Sequence, residues 1–478
     1  MLTRLVPSLF LLAALAGCGQ APEDAITVSV IGGPARAGDP NAQVLDAPAA
    51  VMTGALMQGL VQFDAQGQIE PALAERWIVT DDGLSYIFRL RRAKWSDGEE
   101  VTAPQVAKSL RTSLSAQSRN PLKPMFGPVT EILAMTDSVL EVRLSEPQGN
   151  LLQLLAQPEM AVLKQGRGTG PYRIYRPLPH STVLRPILAD TAEDIDEDAL
   201  QRMERRVRGE DAATAVARYA TGDAALVLGG TFNSYPFAQA SGINQRQIRH
   251  DPVSGLFGLI PARADGPIAD RDVRRALAMS INRTAFLQRF AIPGWRPTEG
   301  MLPAPIGNFI QAVPDWSSLD RPARLARARR LIGASDITLR VALPDGPGGR
   351  LLFAQLAADW RQIGVQALRV GRNEAADLRL IDAVAPTPVP AWYVGRFRCP
   401  GLPMCSTEVT ATMSILRRSK PEERPRLIAE ADQSLADDQL YIPIAMPLRW
   451  SLVAPRLLGY ADNDVALHPL NRLDQAGD

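Results

Sequence analysis

The sequence predicts an α/β protein built from lobes with open sheets. Helical and strand-like segments alternate along its 478 residues, a pattern that favours α/β architecture over a helix bundle or a barrel. The clearest βαβ unit consists of the strand ITLRVALP, a helix over about 349–363 and the strand VQALRVG. Ligands of open α/β sheets bind in a crevice beside the carboxyl ends of the strands.

Short strands and tight turns dominate the first third of the chain. The strand AITVSVIGG ends in a pair of glycines, and apolar residues then repeat at helical spacing from Met52 to Leu60. LSYIFRLR alternates between apolar and polar residues, which predicts a half-buried strand between two Asp-Gly turns. Thr102 is expected to cap the next helix. Two further strands are predicted at SVLEVRLSEP and GTGPYRIYRP.

The remaining elements continue the alternation. AATAVARYATGDAALVLGG predicts a helix, a turn and a strand, and Asp270 is expected to cap one continuous helix in RDVRRALAMSINRTAFLQRF. The last third adds the strand DLRLIDAV, the helix LIAEADQSLADD and the strand YIPIAMP. The loops between these units are long and rich in Pro and Gly, for example IPGWRPTEGMLPAPIGN.

Composition and charge indicate a globular protein without a nucleic-acid partner. Hydrophobic residues make up 46% of the chain and charged residues 22%, ordinary values for a folded domain. The formal net charge is +1, so no excess of positive charge is present to attract nucleic acid.

The N-terminus resembles the signal peptide of a bacterial lipoprotein. One cation, Arg4, precedes an apolar run that is too short to span a bilayer as a helix. The run ends in Leu15-Ala16-Gly17-Cys18, which resembles a lipobox. We therefore expect residues 1–17 to be removed and Cys18 to carry the lipid that anchors an exported chain. The alternative is a plain secretory signal followed by an unrelated cysteine, and no later stretch is apolar enough to cross a membrane.

Two further cysteines, Cys399 and Cys405, lie close together in RCPGLPMC. In an oxidising compartment such a short loop can close as a disulfide, which we favour. A zinc site is the alternative, but it needs four ligands and no His or other Cys lies nearby. We expect neither a metal nor a cofactor.

The sequence contains no motif that supports catalysis. The three histidines are His180, His250 and His468, and each is remote in sequence from acidic or Cys clusters. G-x-S-x-G, Walker and H-E-x-x-H motifs are absent from the sequence. We therefore predict that the chain is not an enzyme. A glycosidase-like pair of carboxylates across a cleft is the alternative that one sequence leaves open.

The stretch IEPALAERWIVTDDGLSYIFRLRRAKWSDGEEVTAPQVAKSL resembles the signature of the peptide/nickel class of solute-binding proteins of ABC transporters, bacterial extracellular solute-binding protein family 5. GTGPYRI, ATGDAALVLGG and DRDVRRALAMSINRTAF match more weakly, in family order, with Asn282 where the family has Asp. The matches extend over about residues 26–290. The matching residues of the signature are Pro71, Leu73, Ala74, Trp77, Asp82, Gly83, Tyr86, Phe88, Leu90, Arg91, Trp95, Asp97, Gly98, Ala103, Val106 and Ser109.

This resemblance implies a two-lobe, periplasmic-binding-protein-like α/β fold of type II, in the large peptide-binding class. Lobe I would comprise 21–265 and 442–478, with an extra subdomain at about 46–165, and lobe II would comprise 266–441. The chain would cross between the lobes near GLFGLIPARADG and near YIPIAMP.

The resemblance also implies a function and a location. The chain would be a lipid-anchored monomer on the periplasmic side of a bacterial membrane. It would capture a peptide or other small solute between its lobes and deliver it to an ABC permease. The alternative is a solute-sensing or scaffold lipoprotein that kept the binding fold without transport.

Three segments are expected to face the ligand on the same basis: the loop after the first strand, GGTFNSYPF and IDAVAPTPVPAWYV. Trp392 and Tyr393 either cover a peptide-like ligand or belong to the core. Arg396 either pairs with an acidic solute or is simply exposed. The candidate ligand-binding residues are Gly32, Gly33, Phe232, Tyr235, Asp382, Trp392, Tyr393 and Arg396.

Many peptide-binding members of the family hold the ligand's α-ammonium group with a carboxylate in a motif like Asp-Tyr-Pro-Asp-Pro. The matching stretch in this chain is APTPVP at 385–390, and no carboxylate occurs between Asp382 and Glu408. A buried ammonium without a partner is costly. We therefore expect that a free peptide N-terminus does not anchor the ligand. The alternative is that Asp382 supplies the carboxylate despite its shifted position.

Overall fold

Four β-sheets and thirteen α-helices form the part of the chain that the structure describes. The structure is a computed structural model and describes residues 25–188, 195–303, 311–416 and 418–473. The predicted signal peptide and Cys18 lie outside the described residues.

The strands are β1 (Ile26–Ile31), β2 (Val61–Phe63), β3 (Ile69–Pro71), β4 (Ala74–Val79), β5 (Ser85–Leu90), β6 (Val129–Ala134), β7 (Val139–Leu144), β8 (Tyr172–Leu178), β9 (Ser181–Pro186), β10 (Arg205–Glu210), β11 (Leu226–Thr231), β12 (Ile248–Asp251), β13 (Gly255–Pro261), β14 (Ile337–Ala342), β15 (Val365–Val370), β16 (Leu378–Val384), β17 (Ile442–Ala445) and β18 (Arg449–Val453). The helices are α1 (Ala47–Leu56), α2 (Ala103–Leu114), α3 (Leu151–Leu155), α4 (Glu197–Met203), α5 (Ala212–Ala220), α6 (Tyr235–Ala240), α7 (Arg271–Ser280), α8 (Arg283–Gln288), α9 (Arg321–Ile332), α10 (Pro347–Arg361), α11 (Pro390–Gly395), α12 (Thr407–Leu416) and α13 (Arg424–Asp438).

The first large sheet has seven strands in the order β12-β18-β11-β1-β10-β9-β8. Its centre is parallel, because β1 pairs with β10 on one side and β11 on the other in the same direction. The late strand β18 lies antiparallel between β11 and β12. The two ends of the described chain therefore meet in one sheet.

A four-stranded antiparallel sheet, β4-β5-β7-β6, contains most of the signature stretch. Tyr86 and Phe88 on β5 point into a separate hydrophobic core whose buried members run from Leu60 to Val162. Trp95 is 2% exposed, and its Nε1 donates to Gln105 Oε1 at 2.9 Å. The Asp-Gly turns and aromatic residues of the signature thus have structural roles in the compact unit that interrupts the first sheet.

The second large sheet has five strands in the order β15-β14-β16-β13-β17. The predicted βαβ unit is present, since β14 and β15 pair in parallel and α10 connects them. Both β13 and β17 pair antiparallel with members of this sheet. The chain leaves the first sheet after Asp251 and returns to it at Arg449, so the two connections between the sheets are 252–254 and 446–448. The first connection directly precedes the segment GLFGLIPARADG and the second overlaps the end of YIPIAMP, the two places near which a crossing was expected. The lobe limits stay a prediction.

Two predicted helices differ from the structure. The helical spacing continues to Leu60, but α1 ends at Leu56 and the chain extends from Met57. Gly59 explains part of the break, since a Cβ there would lie 2.6 Å from the carbonyl oxygen of Leu155. This close approach fixes the extended path.

The continuous helix predicted after Asp270 is two helices, α7 and α8. Asp270 does cap α7, because its Oδ1 accepts from the backbone N of Asp272 at 2.8 Å. The helix stops at Ile281, and Asn282 starts α8 with its Oδ1 accepting from Ala285 N at 3.1 Å. Asn side chains compete in this way with the helical backbone for hydrogen bonds.

The remaining core lies against the two large sheets. One cluster covers the five-stranded sheet and α7–α10 and continues to β11 and β12, a second lies under β1, and a third lies under α11–α13. Across the described ranges, none of the helices has both the length and the hydropathy that a membrane span requires.

Candidate functional site

Hydrogen bonds join the loop after β16 to the unit that carries the four-stranded sheet. Asn150 Nδ2 donates to Thr387 Oγ1 at 2.9 Å, and Gln157 Nε2 donates to the carbonyl oxygen of Pro386 at 2.8 Å. The stretch APTPVP, which belongs to a segment that the family resemblance predicts to face the ligand, therefore contacts the first half of the chain directly.

Two ion pairs also connect the parts of the chain that carry different large sheets. Arg424 at the start of α13 pairs with Glu146, which follows β7. Arg449, the first residue of β18, pairs with Asp382 on β16, with Nη1 2.8 Å from Oδ1. The Arg449 and Asp382 side chains are 18% and 16% exposed, so this second pair is largely shielded from water.

A third set of contacts joins the end of β11 to the start of α10. Asn233 Oδ1 accepts from Gly349 N at 2.9 Å, and its Nδ2 donates to the carbonyl oxygen of Asp345 at 2.9 Å. Beside it, the rings of Phe232 and Phe257 pack edge to face with centroids 4.7 Å apart. The carboxyl ends of β11 and β14 thus face each other, as expected for a crevice between two open sheets.

A cavity in the described chain has a volume of about 400 Å³ and is bordered by both large sheets. Helix α1, the end of β11, β18, the last residue of β16 and the segment 465–471 form its walls. Its lining is mostly apolar. Several lining residues have short side chains or none, which leaves the cavity volume unfilled: Ala47, Ala50, Gly54, Ala55, Gly229 and Gly230. Cavities of this size and composition are typical of small-molecule sites.

Few ionisable groups border the cavity: among its lining residues they are Asp251, Arg449 and His468. His468 Nε2 lies 3.2 Å from Asp251 Oδ2, and Asp251 Oδ1 accepts from Asn463 N at 3.0 Å. The hydroxyl of Tyr460 lies 3.2 Å from His468 Nε2. Asp251 and His468 therefore already hold each other in a buried cluster under the C-terminal segment.

The glycines after β1 lie against α1. A Cβ on Gly32 would lie 2.8 Å from the ring of Pro48, and one on Gly33 would lie 3.0 Å from Asp46 Oδ2. Gly32 also has a φ of 146°, which favours glycine. Both residues shape the turn that leads to the cavity wall, and neither is part of that wall.

The aromatic candidates are mostly core residues in this structure. Phe232 is 1%, Tyr235 3% and Tyr393 0% exposed. Burial raises the pKa of Tyr393 well above its ordinary range. Trp392 is half-buried and packs on Tyr393, and Arg396 is exposed with its guanidinium carbon 5.2 Å from the Trp392 ring centroid.

Cys399 and Cys405 form a disulfide with their Cα atoms 5.1 Å apart. The described residues contain no group of three or more His, Cys, Asp or Glu side chains placed to hold a metal ion.

Sequence reasoning did not find the cavity wall on α1, Arg449 or the C-terminal segment. A signal for the first was present, because Ala47, Ala50 and Gly54 recur at helical spacing on one face with Val51 and Ala55. No local pattern marks Arg449, since its partner Asp382 is 67 residues away.

Comparison with known proteins gives the same fold over nearly the whole chain. OppA of Haemophilus influenzae, solved in complex with RPPGFSPFR, superposes with a TM-score of 0.81 at 18% identity, covering 95% of this chain and 100% of that one. The murein tripeptide-binding protein MppA of Escherichia coli gives 0.81 at 17% identity, with coverage of 96% and 99%. The fold is therefore the two-lobe, type II fold of periplasmic binding proteins, an α/β architecture.

Sequence comparison agrees. The periplasmic oligopeptide-binding protein OppA of Escherichia coli is 23% identical over 470 residues, covering 86% of this chain and 85% of that protein. The nickel-binding periplasmic protein of Escherichia coli is 25% identical over 354 residues, 66% of each chain.

A family model shows the class of protein to which this chain belongs. Residues 68–368 match the family described as bacterial extracellular solute-binding proteins, family 5 (middle region). The chain belongs to this family, whose relatives here are binding proteins and not enzymes.

Proposed function

We propose that this chain is the lipid-anchored, extracytoplasmic substrate-binding component of an ABC transporter. It captures a peptide or peptide-like small solute between two lobes, works as a monomer and delivers the solute to an inner-membrane permease. The observation that carries the proposal is the 400 Å³ cavity bordered by both large sheets, in a chain of family 5. Its relatives include binding proteins for oligopeptides and nickel.

In this proposal the two lobes are built on the two large sheets, and the compact unit around the four-stranded sheet is the extra subdomain. The connections 252–254 and 446–448 are short, as hinges between lobes commonly are. In this scheme four of the candidate residues do not touch the solute but pack beside the elements that line the cavity: Gly32, Gly33, Phe232 and Tyr235.

The test combines uptake with direct identification of the ligand. The full chain is purified under mild conditions, and any bound solute is released by unfolding and identified by mass spectrometry. Uptake of that solute is then measured in a host with and without the gene. Loss of uptake supports the proposal. Binding with unchanged uptake favours the sensor or scaffold alternative, and turnover of the solute would indicate an enzyme.

The lipid anchor is tested separately at Cys18. We expect wild-type protein expressed in a bacterial host to carry lipid and to partition with membranes, because Leu15-Ala16-Gly17-Cys18 resembles a lipobox. Cys18→Ala removes the only thiol in that motif and leaves the signal core intact. Periplasmic, unlipidated wild-type protein would contradict the anchor.

A free peptide N-terminus is not the anchoring feature in this proposal. The carboxylate nearest to APTPVP in sequence, that of Asp382, is already paired with Arg449. Isothermal titration with a tri- to pentapeptide library, free and N-acetylated, checks this point. Tight binding of free peptides that disappears on acetylation and in Asp382→Ala would contradict it.

A further inference from the structure

We propose that the cavity takes a compact, largely apolar solute with one carboxylate, and that Arg449 binds this carboxylate in place of Asp382. This inference rests on the proposed function and specifies its substrate class. The residues that support it are Arg449, Asp382 and the apolar wall on α1.

Arg449 is the cation placed to receive a ligand. Of the three ionisable residues that line the cavity, Asp251 and His468 lie 3.2 Å apart and hold each other, so Arg449 is the remaining one. It begins β18 directly after the connection 446–448, and its side chain is 18% exposed. A partly buried guanidinium favours an anionic partner strongly, because few waters can replace it.

The carboxylate of Asp382 accepts a hydrogen bond from one of the two terminal nitrogens of the Arg449 guanidinium. Nη1 donates to Asp382 Oδ1 at 2.8 Å and to the Leu448 carbonyl oxygen at 2.9 Å. Among the residues that the structure describes, Nη2 makes one long contact of 3.4 Å, to the backbone oxygen of Asp382. Guanidinium groups bind carboxylates best through two parallel N–H···O bonds. A carboxylate that enters from the cavity can form this two-bond arrangement on Nη2 and Nη1.

Asp382 occupies a position from which it can leave. Side chains two residues apart on a strand point to the same face, and Val384 on β16 lines the cavity. Asp382 therefore emerges beside the cavity, on the five-stranded sheet, whereas Arg449 belongs to the seven-stranded sheet. Exchange of Asp382 for a solute carboxylate keeps Arg449 neutralised and releases an acid that sits 16% exposed.

The rest of the cavity fits an apolar body. Ala47, Ala50, Val51, Gly54 and Ala55 present short side chains on one face of α1. They offer no charge and little hydrogen bonding to a peptide backbone. A volume of about 400 Å³ suits a small organic acid better than an extended oligopeptide.

The test uses three probes that share a phenyl-substituted alkyl chain and differ in the terminal group, a carboxylate, an ammonium or a hydroxyl: 4-phenylbutyrate, 4-phenylbutylammonium and 4-phenylbutanol. Their affinities are measured by isothermal titration at low ionic strength with wild type, Asp382→Asn and Arg449→Gln. Asp382→Asn keeps the side-chain shape but removes the competing charge. We expect it to bind 4-phenylbutyrate about tenfold more tightly than wild type, a gain of about 1.4 kcal/mol. Arg449→Gln should lose this binding, and the alcohol should respond to neither substitution.

Matched controls separate the charge exchange from general effects of the substitutions. Asp265→Asn and Arg426→Gln remove charges from exposed ion pairs with Arg263 and Glu430 and should leave all three affinities unchanged. Circular dichroism and thermal unfolding check that each variant folds.

Three outcomes overturn the inference. They are preference for 4-phenylbutylammonium that is lost in Asp382→Asn, unchanged 4-phenylbutyrate binding in Arg449→Gln, and no 4-phenylbutyrate binding to folded Asp382→Asn. Each of these can occur while gene-dependent uptake of another solute persists, which leaves the proposed transport function standing. Loss of the transport function would instead appear as unchanged uptake without the gene.

Discussion

Trp95 shows at the residue scale what the signature stretch contributes. Its ring fills the core of the four-stranded unit, and its Nε1 bonds to Gln105, whose Oε1 also accepts from Thr102 N at 3.0 Å at the start of α2. We expect Trp95→Ala to lower the free energy of unfolding by about 3–5 kcal/mol, as for other large-to-small core changes. Urea unfolding measures the loss. Trp77→Ala, at a half-buried site of the same unit, should cost clearly less, and equal losses would contradict this account.

Asp432 on α13 predicts a pH dependence of stability. Its side chain is buried, its Oδ2 accepts from Ala312 N at 2.8 Å, and burial raises its pKa from 3.8 to about 6. Because the pKa of Asp432 is higher in the folded than in the unfolded state, protonation of Asp432 stabilises the fold. This contribution is full below about pH 4 and is lost as the pH rises through about 6.

Asp432→Asn keeps the acceptor and removes the titration. We therefore expect its stability relative to wild type to increase by about 1–3 kcal/mol between about pH 4 and about pH 7. Urea unfolding across this range measures the difference. Asp437→Asn on the exposed side of the same helix is the control, and a parallel pH course for wild type and Asp432→Asn would contradict the prediction.

Residue types that act locally could be predicted, whereas residues that act through distant partners could not. The caps at Asp270 and Thr102 follow from short-range hydrogen-bonding rules. The cavity position of Arg449 depends on a sheet contact 67 residues away in sequence. Whether a ring such as Tyr393 is core or cavity depends likewise on which helices cover it, here α11–α13.

At the scale of elements, the loop between α11 and α12 is closed by the Cys399–Cys405 disulfide. A disulfide that closes a loop of this length lowers the conformational entropy of the unfolded chain. We therefore expect the double variant Cys399→Ser with Cys405→Ser to lower the free energy of unfolding by about 2 kcal/mol. The backbone N of Cys399 also donates to Thr410 Oγ1 at 2.8 Å, which keeps part of the loop in place without the bond. Urea unfolding of the double variant, with wild type as reference, measures the cost. Two alkylatable thiols in native wild-type protein would contradict the disulfide.

The type of most elements could be predicted, but several of their ends could not. Hydrophobic periodicity identified β5, α10 and α13 because each buries one regular face. The same periodicity predicted an end of α1 that is too late in the chain, and it did not predict the break between α7 and α8. Those ends depend on tertiary contacts, the approach of Leu155 to Gly59 and the bond of Asn282 N to Asp359 Oδ2 at 2.8 Å.

For the whole molecule, contacts such as Asn150–Thr387 and Arg424–Glu146 hold the unit around the four-stranded sheet against the loop after β16 and the start of α13 in this structure. We expect the unliganded protein in solution to open at 252–254 and 446–448 and to close when a solute binds in the cavity. Small-angle scattering should then give a smaller radius of gyration at saturation.

A variant checks the same prediction without a ligand. Arg424→Gln with Asn150→Ala removes two of the closing contacts and should enlarge the unliganded radius, whereas Arg426→Gln on the surface of α13 should not. An unchanged radius under proven saturation, or in the double variant, would argue against closure.

The position of β18 has a consequence for the order in which the protein can be made. β12 pairs only with β18 within the described sheet, and β18 is synthesised almost 200 residues later. The ribosome must therefore release nearly the whole chain before the first sheet gains its interior strand, and Arg449 arrives on that same strand. Contacts this distant in sequence form slowly. A product that terminates before Arg449 lacks the strand, its cation and the last cavity wall together, so it lacks part of the lining that a solute would contact.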